Sequence, residues 1–209
     1  LIGFAGAPWT LLCYMVQGKG SKTFDEAKAF CYSNPSLAHG LLQMITDTTI
    51  LYLKEQVRAG VDAIQLFDSW GGLLSPADFE ELSLQYMRQI IDSLKDEVLT
   101  ILFAKGAWHS LGNMSDAGAH ALGIDWCITP QMARKLSGSH VVLQGNLDPA
   151  RLLGPRHMVE KETRRMLDCF GGQHHIANLG HGILPNTPVD NAKAFVETVK
   201  QFSALTIES

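Results

Sequence analysis

Polar side chains able to bind or react stand at or soon after the ends of short apolar runs that are predicted to be strands. The set contains a phenol, two carboxylates, a hydroxyl, an amine and an imidazole: Tyr14, Asp68, Asp125, Ser69, Lys105 and His181. In a parallel α/β fold the carboxyl ends of all strands lie on one face, so side chains that are far apart in sequence converge there. This convergence is the argument for a ligand site.

Two members of the set have local sequences that favour hydrogen bonding to an anion. His181 lies between Gly180 and Gly182, where backbone N–H groups can turn toward an anion and the imidazole can donate to a carboxylate. The alternative is a turn histidine without a role. Ser69 follows Asp68 at a strand end but is not part of a G-x-S-x-G sequence. We therefore predict that its hydroxyl acts as a donor and not as a nucleophile.

The phenol and the basic loop that follows it each have two interpretations. Tyr14 falls within a helical pattern over residues 8–16, and packing of its ring on the sheet is the interpretation that the sequence alone favours. The loop from Gly18 to Lys22 carries two lysines, so it could be a lid over an anion or a solvated connection.

Strand and helix patterns alternate along the chain and must position these side chains. Six apolar runs are predicted as strands buried on both faces: residues 1–5, 63–67, 98–103, 121–125, 140–143 and 175–179. Amphipathic helical stripes lie between them, which implies parallel strands with right-handed crossovers. Either an open doubly wound sheet or a closed barrel is consistent, and six strands alone fit the open sheet better. No G-x-G-x-x-G sequence supports a dinucleotide-binding version.

Composition excludes several classes of partner. The formal net charge is −4 and the pI is near 6.0, so no global positive field is available for nucleic acid or an anionic membrane. No apolar stretch is long enough to span a bilayer, and no leader sequence opens the chain. The four cysteines form no C-x-x-C pair, and no pair of residues is spaced as zinc ligands. We expect a soluble, cytoplasmic protein without a metal.

Five segments in order along the chain resemble the uroporphyrinogen decarboxylase family: residues 4–11, 14–16 with the glycine-rich loop, 66–69, 143–149 and 178–182. The resemblance covers essentially the whole chain. It implies a (β/α)8 TIM barrel of which residues 1–209, as a single domain, supply six β/α units with strands three to eight. The first two units are expected to be absent, which explains a strand that begins at Leu1 without a polar lead-in, and the natural protein is expected to be longer.

The resemblance also implies an activity and a set of substrate contacts. The family is a carboxy-lyase of haem biosynthesis that removes four acetate carboxyl groups from uroporphyrinogen, giving coproporphyrinogen and CO2. It needs no metal or organic cofactor and is homodimeric. Substrate contacts carried over to this chain are Tyr14, Ser69 and His181, with Phe67 in the pocket wall. The family's central aspartate and its arginines precede Leu1, so no catalytic residue is identifiable here.

Two other interpretations compete with an active decarboxylase. One is an inactive fragment or a fold-only interaction module, since the segments with the catalytic aspartate and the arginines are missing. The other is a zinc-dependent methyltransferase that uses corrinoid methyl donors. That activity needs soft thiolate ligands, but the strand before Lys105 and the strand before Gly180 supply none.

Overall fold

Strands and helices alternate in the computed structural model, which describes residues 1–172 and 174–207. The strands are β1 (Ile2–Gly6), β2 (Ala63–Asp68), β3 (Leu99–Ala104), β4 (Ala121–Gly123), β5 (Val142–Leu147) and β6 (His175–Leu179). The order in the sheet is β1-β2-β3-β4-β5-β6, and the pairs β1–β2, β2–β3 and β5–β6 are parallel. A doubly wound sheet reverses its strand order, whereas a barrel follows the chain. The predicted α/β fold with barrel-type β/α units is therefore confirmed.

Helices follow the strands along the chain, and side-chain caps begin two of them. They are α1 (Pro8–Gln17), α2 (Asp25–Ser33), α3 (Pro35–Arg58), α4 (Pro76–Phe79), α5 (Gln85–Asp92), α6 (Leu111–Ser115), α7 (Pro130–Ser137), α8 (Arg156–Phe170) and α9 (Val189–Ile207). The side chain of Ser75 accepts a hydrogen bond from the Asp78 N–H at the start of α4, as its sequence predicts. A π-helical turn, Glu80–Leu84, joins α4 to α5. No helix within the described ranges is both long and apolar enough to cross a bilayer.

The chain divides into two compact units, Leu1–Leu122 and Gly123–Ser209. The first unit buries large side chains of α1, α3 and β2, among them Trp9, Leu12, Leu42, Leu53 and Leu66. The second buries a separate cluster from β5, the 3-10 turn after it, α8 and α9: Leu147, Leu152, Val159, Leu167, Ala194 and Phe195. Apolar burial of this kind stabilises each unit from within. The single domain over residues 1–209 stays a prediction.

Two features of the strands differ from the sequence prediction. β5 continues through Gly145 and Asn146, which were predicted to follow it, because both residues pair in register with β6 and the Asn146 amide finds acceptors inside the fold. The terminal strands β1 and β6 are not buried on both faces but alternate between more and less exposed side chains. Each has only one neighbour in the strand order, so less of its surface is covered.

A side chain occupies part of the outer edge of β1. Gln56 of α3 accepts a hydrogen bond from the Phe4 N–H at 2.9 Å and donates to the Phe4 carbonyl oxygen at 3.0 Å. A Cβ atom at Gly3 would collide with the Gln56 amide oxygen, so the glycine leaves room for this contact. The amide thus satisfies the two backbone groups that a neighbouring strand would otherwise pair with.

Candidate functional site

The alternation of β2 separates two kinds of side chain at its carboxyl end. Ile64, Leu66 and Asp68 are buried, whereas Phe67 and Ser69 are half-buried. Successive side chains of a strand point to opposite faces, so Phe67 lies on the face opposite to Asp68, and Ser69 follows directly after the strand. Ser69 and Phe67, both predicted from the resemblance as substrate contacts, therefore lie two residues apart at the carboxyl end of β2.

An aromatic row crosses the face that carries Phe67. The ring centroid of Phe67 lies 6.1 Å from that of Phe4 and 5.8 Å from that of Phe103, and both ring pairs are edge-to-face. The outer end of the row is open, because Phe4 is 62% exposed. Sequence reasoning missed Phe4 and Phe103. The parallel register that pairs Phe67 with Phe103 is the signal that could have found the second of them.

A fully buried carboxylate lies on the opposite face of the same strand end. Asp68 is 0% exposed. Its oxygens accept hydrogen bonds from the Thr10 hydroxyl at 2.7 Å, the Ser83 hydroxyl at 2.5 Å and the N–H groups of Trp70 and Gly71. Burial raises the pKa of Asp68 above its usual value, and these hydrogen bonds oppose that shift. The carboxylate therefore connects β2 to α1, to the π-helical turn and to the loop that follows Ser69.

The loop at residues 69–74 is fixed by further hydrogen bonds to its backbone carbonyls. The Trp9 indole N–H donates to the Trp70 carbonyl at 3.2 Å, and the Lys28 ammonium donates to the Leu73 carbonyl. Trp9 is fully buried on α1 and Lys28 lies on α2. Two helices thus hold the loop in addition to Asp68.

Two glycines allow this loop to approach its surroundings closely. A Cβ atom at Gly71 would lie 2.6 Å from an oxygen of Asp68, and one at Gly72 would lie 2.5 Å from the Lys105 carbonyl oxygen. The Gly72 N–H donates to that same carbonyl at 3.0 Å. A larger residue would displace the Asp68 and Phe79 side chains at Gly71 and the backbone of Lys105 and Gly106 at Gly72, so the glycines allow close packing. The loop after β2 is therefore packed against the loop after β3.

Tyr14 lies beside this loop. Its side chain is on α1 and 44% exposed, and its ring centroid is 6.3 Å from that of Trp70 and 5.9 Å from that of Phe24. The ring packs on other aromatic rings at its edge while much of it stays exposed. Within the described part of the chain, neither the Tyr14 phenol nor the Ser69 hydroxyl makes a hydrogen bond. The structure therefore brings Tyr14 next to the loop that starts at Ser69.

His181 follows β6 in the second unit and is exposed. The residue before it is firmly placed, because the Gly180 N–H donates to the Leu147 carbonyl at 2.7 Å and a Cβ atom at Gly180 would lie 2.8 Å from the Trp126 nitrogen. At Gly182, by contrast, a Cβ atom would meet nothing within 4 Å. Of the two glycines around the imidazole, only Gly180 is required by close packing. The convergence of His181 with Tyr14 and Ser69 stays a prediction.

The loop after β4 is also held by buried polar groups. The Asn146 amide donates to the carbonyl oxygens of Asp125 at 2.9 Å and of Ile128 at 2.8 Å. The Asp125 carboxylate accepts from the Cys127 N–H at 2.7 Å. Gly180 packs directly on this loop. Asn146 and Asp125 therefore stabilise the backbone against which the residue before His181 lies.

A cavity of about 300 Å³ lies beside the ends of β4 and β5. Its charged lining residues are Asp148, Arg151, Glu162 and Arg165, whose charges cancel, and none of the four predicted substrate contacts lines it. Within residues 1–172 and 174–207 no group of three or more His, Cys, Asp or Glu side chains is placed to hold a metal ion.

Comparisons with known sequences agree on one family. The chain matches the family model described as "Uroporphyrinogen decarboxylase (URO-D)" over residues 1–202. A uroporphyrinogen decarboxylase of Christiangramia forsetii is 61% identical over 202 residues, which cover 97% of this chain and 59% of that protein. The corresponding protein of Schizosaccharomyces pombe is 44% identical over 98% of this chain and 60% of its own length. The chain thus spans about three-fifths of the curated relatives that it matches.

Solved structures share the fold. A methyltransferase from Methanosarcina mazei superposes with a TM-score of 0.83 at 25% identity and covers 96% of this chain and 58% of its own. A B12-independent methionine synthase from Shewanella sp. has a TM-score of 0.66 at 12% identity, over 96% of this chain and 62% of its own. The second likeness concerns the fold alone.

Proposed function

Because this chain belongs to the uroporphyrinogen decarboxylase family, we propose that the full-length protein removes the four acetate carboxyl groups of uroporphyrinogen, giving coproporphyrinogen and CO2. The observation that carries the proposal is 61% identity to a uroporphyrinogen decarboxylase over 97% of the chain. Similarity at this level supports a shared reaction as well as a shared fold.

The chemistry requires a proton at carbon and stabilisation of a transient cation. Protonation of a pyrrole carbon makes the ring an electron sink, so the adjacent acetate can lose CO2. The CH2 carbon then takes up one proton and becomes a methyl group, and the ring carbon releases its added proton, which restores the pyrrole. Substrate carboxylates that do not react must be held in place during four such events. Hydroxyl, phenol and imidazole donors suit that task, because hydrogen bonds to a charged acceptor are about twice as strong as neutral ones.

The described residues support a role of this chain in holding the substrate carboxylates. The Tyr14 phenol and the Ser69 hydroxyl have no hydrogen-bond partner within the described part of the chain, so both can donate to a substrate carboxylate. The row formed by Phe4, Phe67 and Phe103 offers an apolar wall for the faces of a tetrapyrrole. In this proposal the chain holds and orients the substrate, and no residue of it is assigned the transfer of the proton.

The experiment is an assay of the full-length protein with uroporphyrinogen under reducing conditions, with products oxidised and separated by carboxyl number. We expect coproporphyrinogen to accumulate. Tyr14→Phe and Ser69→Ala should each raise KM about tenfold, since each removes one hydrogen bond to a charged group. Tyr52→Phe is the matched control, because Tyr52 lies exposed on α3. A wild-type protein that forms no coproporphyrinogen ends the proposal.

The role of His181 is tested separately. We expect His181→Asn in the full-length protein to lower activity partially, because the amide can still donate one hydrogen bond to a carboxylate. Complete loss of turnover with unchanged substrate binding would instead assign proton transfer to His181.

The proposal also includes a cytoplasmic homodimer that works without a metal or an organic cofactor. The family resemblance supports each of these points. Dialysis against EDTA should leave kcat unchanged, and light scattering should give twice the mass of one chain. Decarboxylation that EDTA abolishes and added zinc restores would contradict the metal-free part of the proposal, whereas stoichiometric zinc in a purified protein that does not decarboxylate would favour the alternative of a zinc-dependent methyltransferase. The likeness to the Methanosarcina methyltransferase, at 25% identity, is the observation behind that alternative.

A further inference from the structure

We propose that Asp68 is a positioning residue for substrate binding: its buried carboxylate fixes the loop that follows Ser69 against the helix that carries Tyr14. The inference rests on the function proposed above, because it concerns how the same site holds the carboxylates of its substrate. Asp68 itself lies on the face of β2 opposite to Phe67 and is 0% exposed. It therefore acts on a ligand only through other residues.

Four donors converge on the Asp68 carboxylate. Two hydroxyls and two backbone N–H groups donate to Asp68, and they come from α1, from the π-helical turn and from the loop after β2. A buried charge is costly unless it is fully hydrogen-bonded, and an apolar side chain would fill the same volume without that cost. A carboxylate here contributes fixed geometry, since each donor must keep its distance and direction.

The Asp68 carboxylate joins α1 to the loop after β2. Thr10 and Tyr14 are four residues apart on α1, so they lie on the same side of the helix, one turn from each other. The N–H groups of Trp70 and Gly71 belong to the two residues that follow Ser69. Asp68 thus connects the helix turn next to Tyr14 with the loop next to Ser69. The contact between the rings of Tyr14 and Trp70 is a second connection between this helix and this loop, on the exposed side.

An irregular helical turn supplies Ser83, the second hydroxyl that donates to Asp68. Residues Glu80–Leu84 form a π-helical turn between α4 and α5, and Ser83 within it is fully buried with its hydroxyl 2.5 Å from Asp68. π-Helical turns are uncommon and occur frequently at functional sites. Here the turn contains a donor to the carboxylate that orders the substrate-binding loop.

The experiment uses the full-length protein and substitutions that remove one donor at a time. Thr10→Val and Ser83→Ala each leave Asp68 with one hydrogen bond fewer, and Asp68→Asn removes its charge at constant size. Thr46→Val is the matched control, because Thr46 is also buried in a helix of the first unit but donates to the Leu42 carbonyl. We expect KM for uroporphyrinogen to rise about fivefold to tenfold in Thr10→Val and Asp68→Asn, with kcat changed less, and to stay within about twofold in Thr46→Val.

A double-mutant cycle separates positioning from a general effect on the fold. If Asp68 acts through Ser69, Thr10→Val should change KM less than about twofold when Ser69 is already alanine. Effects that multiply fully, or a Thr10→Val protein with lowered Tm and unchanged KM, would overturn the inference.

Hydrogen exchange of residues 69–74 provides a readout that does not depend on turnover. Thr10→Val and Ser83→Ala should speed exchange in this loop, and Thr46→Val should not, because it leaves the Asp68 donors in place. A wild-type protein without decarboxylase activity ends the proposed function, whereas unchanged exchange in both donor variants ends the inference about Asp68. The two failures are thus distinguishable.

Discussion

The loop at residues 69–74 and the segment at residues 180–188 both follow a parallel strand, and each contains or adjoins a predicted substrate donor, yet they are held differently. The first makes hydrogen bonds to α1, to α2 and to the loop after β3. In the second, Gly180 is anchored, but residues 181–186 are all exposed. Strand-end motifs of similar appearance thus differ in how far the segment that follows the strand is buried. Ser69 belongs to a loop that two helices and a neighbouring loop hold, whereas His181 belongs to an exposed segment that starts at the anchored Gly180.

The largest expected effect separates glycines of the two regions. Gly72→Ala places a Cβ atom 2.5 Å from the Lys105 carbonyl oxygen, so backbone must move, and we expect a loss of about 2–4 kcal/mol in the free energy of unfolding. Gly182→Ala meets open space and should cost less than about 0.5 kcal/mol. Urea denaturation of both variants measures the difference. Equal costs would show that the two regions are held alike.

A second substitution tests the energetic weight of the close approach at Gly180. Gly180→Ala brings a Cβ atom to 2.8 Å from the backbone nitrogen of Trp126, and we expect a loss of about 1–3 kcal/mol in the free energy of unfolding. Thermal and urea denaturation, compared with Gly182→Ala, give the measurement. If both variants are equally stable, the close approach at Gly180 has no energetic weight.

A smaller effect is expected when a single hydrogen bond to the Ser69 loop is removed. Trp9→Phe deletes the indole N–H that donates to the Trp70 carbonyl, and it also leaves a small void, so we expect a loss of about 1–2 kcal/mol. Trp108→Phe is the control, because Trp108 is half exposed and should tolerate the change. Faster hydrogen exchange in residues 69–74 of Trp9→Phe alone would link the loss to the loop.

The smallest effect concerns pH and the strand that leads to His181. Burial lowers the pKa of His175, although its ring N–H donates to the Gly145 carbonyl at 2.6 Å, which opposes the shift. A histidine with a lowered pKa in the folded state takes up a proton more readily when unfolded. Its contribution to stability is therefore present above pH 6.5 and is lost as the pH falls below that value. Urea denaturation at several pH values should show wild type losing stability relative to His175→Gln on acidification. A pH-independent difference would contradict this sign.

The periodicity of apolar residues predicted the strands and helices, but it did not predict the hydrogen bonds to Asp68. The alternation of runs located the six strands, and the capping sequence at Ser75 located α4. The donors of Asp68 could not be identified from sequence, because Thr10 is 58 residues away and Ser83 is 15 residues away along the chain. One signal was available: Asp68 shares its strand face with Ile64 and Leu66, so the alternation already places a carboxylate among buried side chains that must be satisfied.

The bounds of β5 show a second limit. Gly145 and Asn146 have turn-forming composition, but the pairing with β6 and the two carbonyl acceptors of Asn146 override that local preference. Tyr14 gives a third case, since the sequence favoured packing on the sheet. The ring instead lies on Trp70 and Phe24 and remains 44% exposed, because the loop after β2 reaches the edge of α1.

The amide of Gln56 on the outer edge of β1 affects how copies of the chain meet one another. A strand from another molecule that adds to β1 at Phe4 must first displace this amide, so it gives up two existing hydrogen bonds for those it forms. Random association along the edge is thereby disfavoured, while a segment that brings its own side-chain contacts can still compete for the same backbone groups. Any strand that pairs with β1 at Phe4 therefore has to replace the two hydrogen bonds of one glutamine.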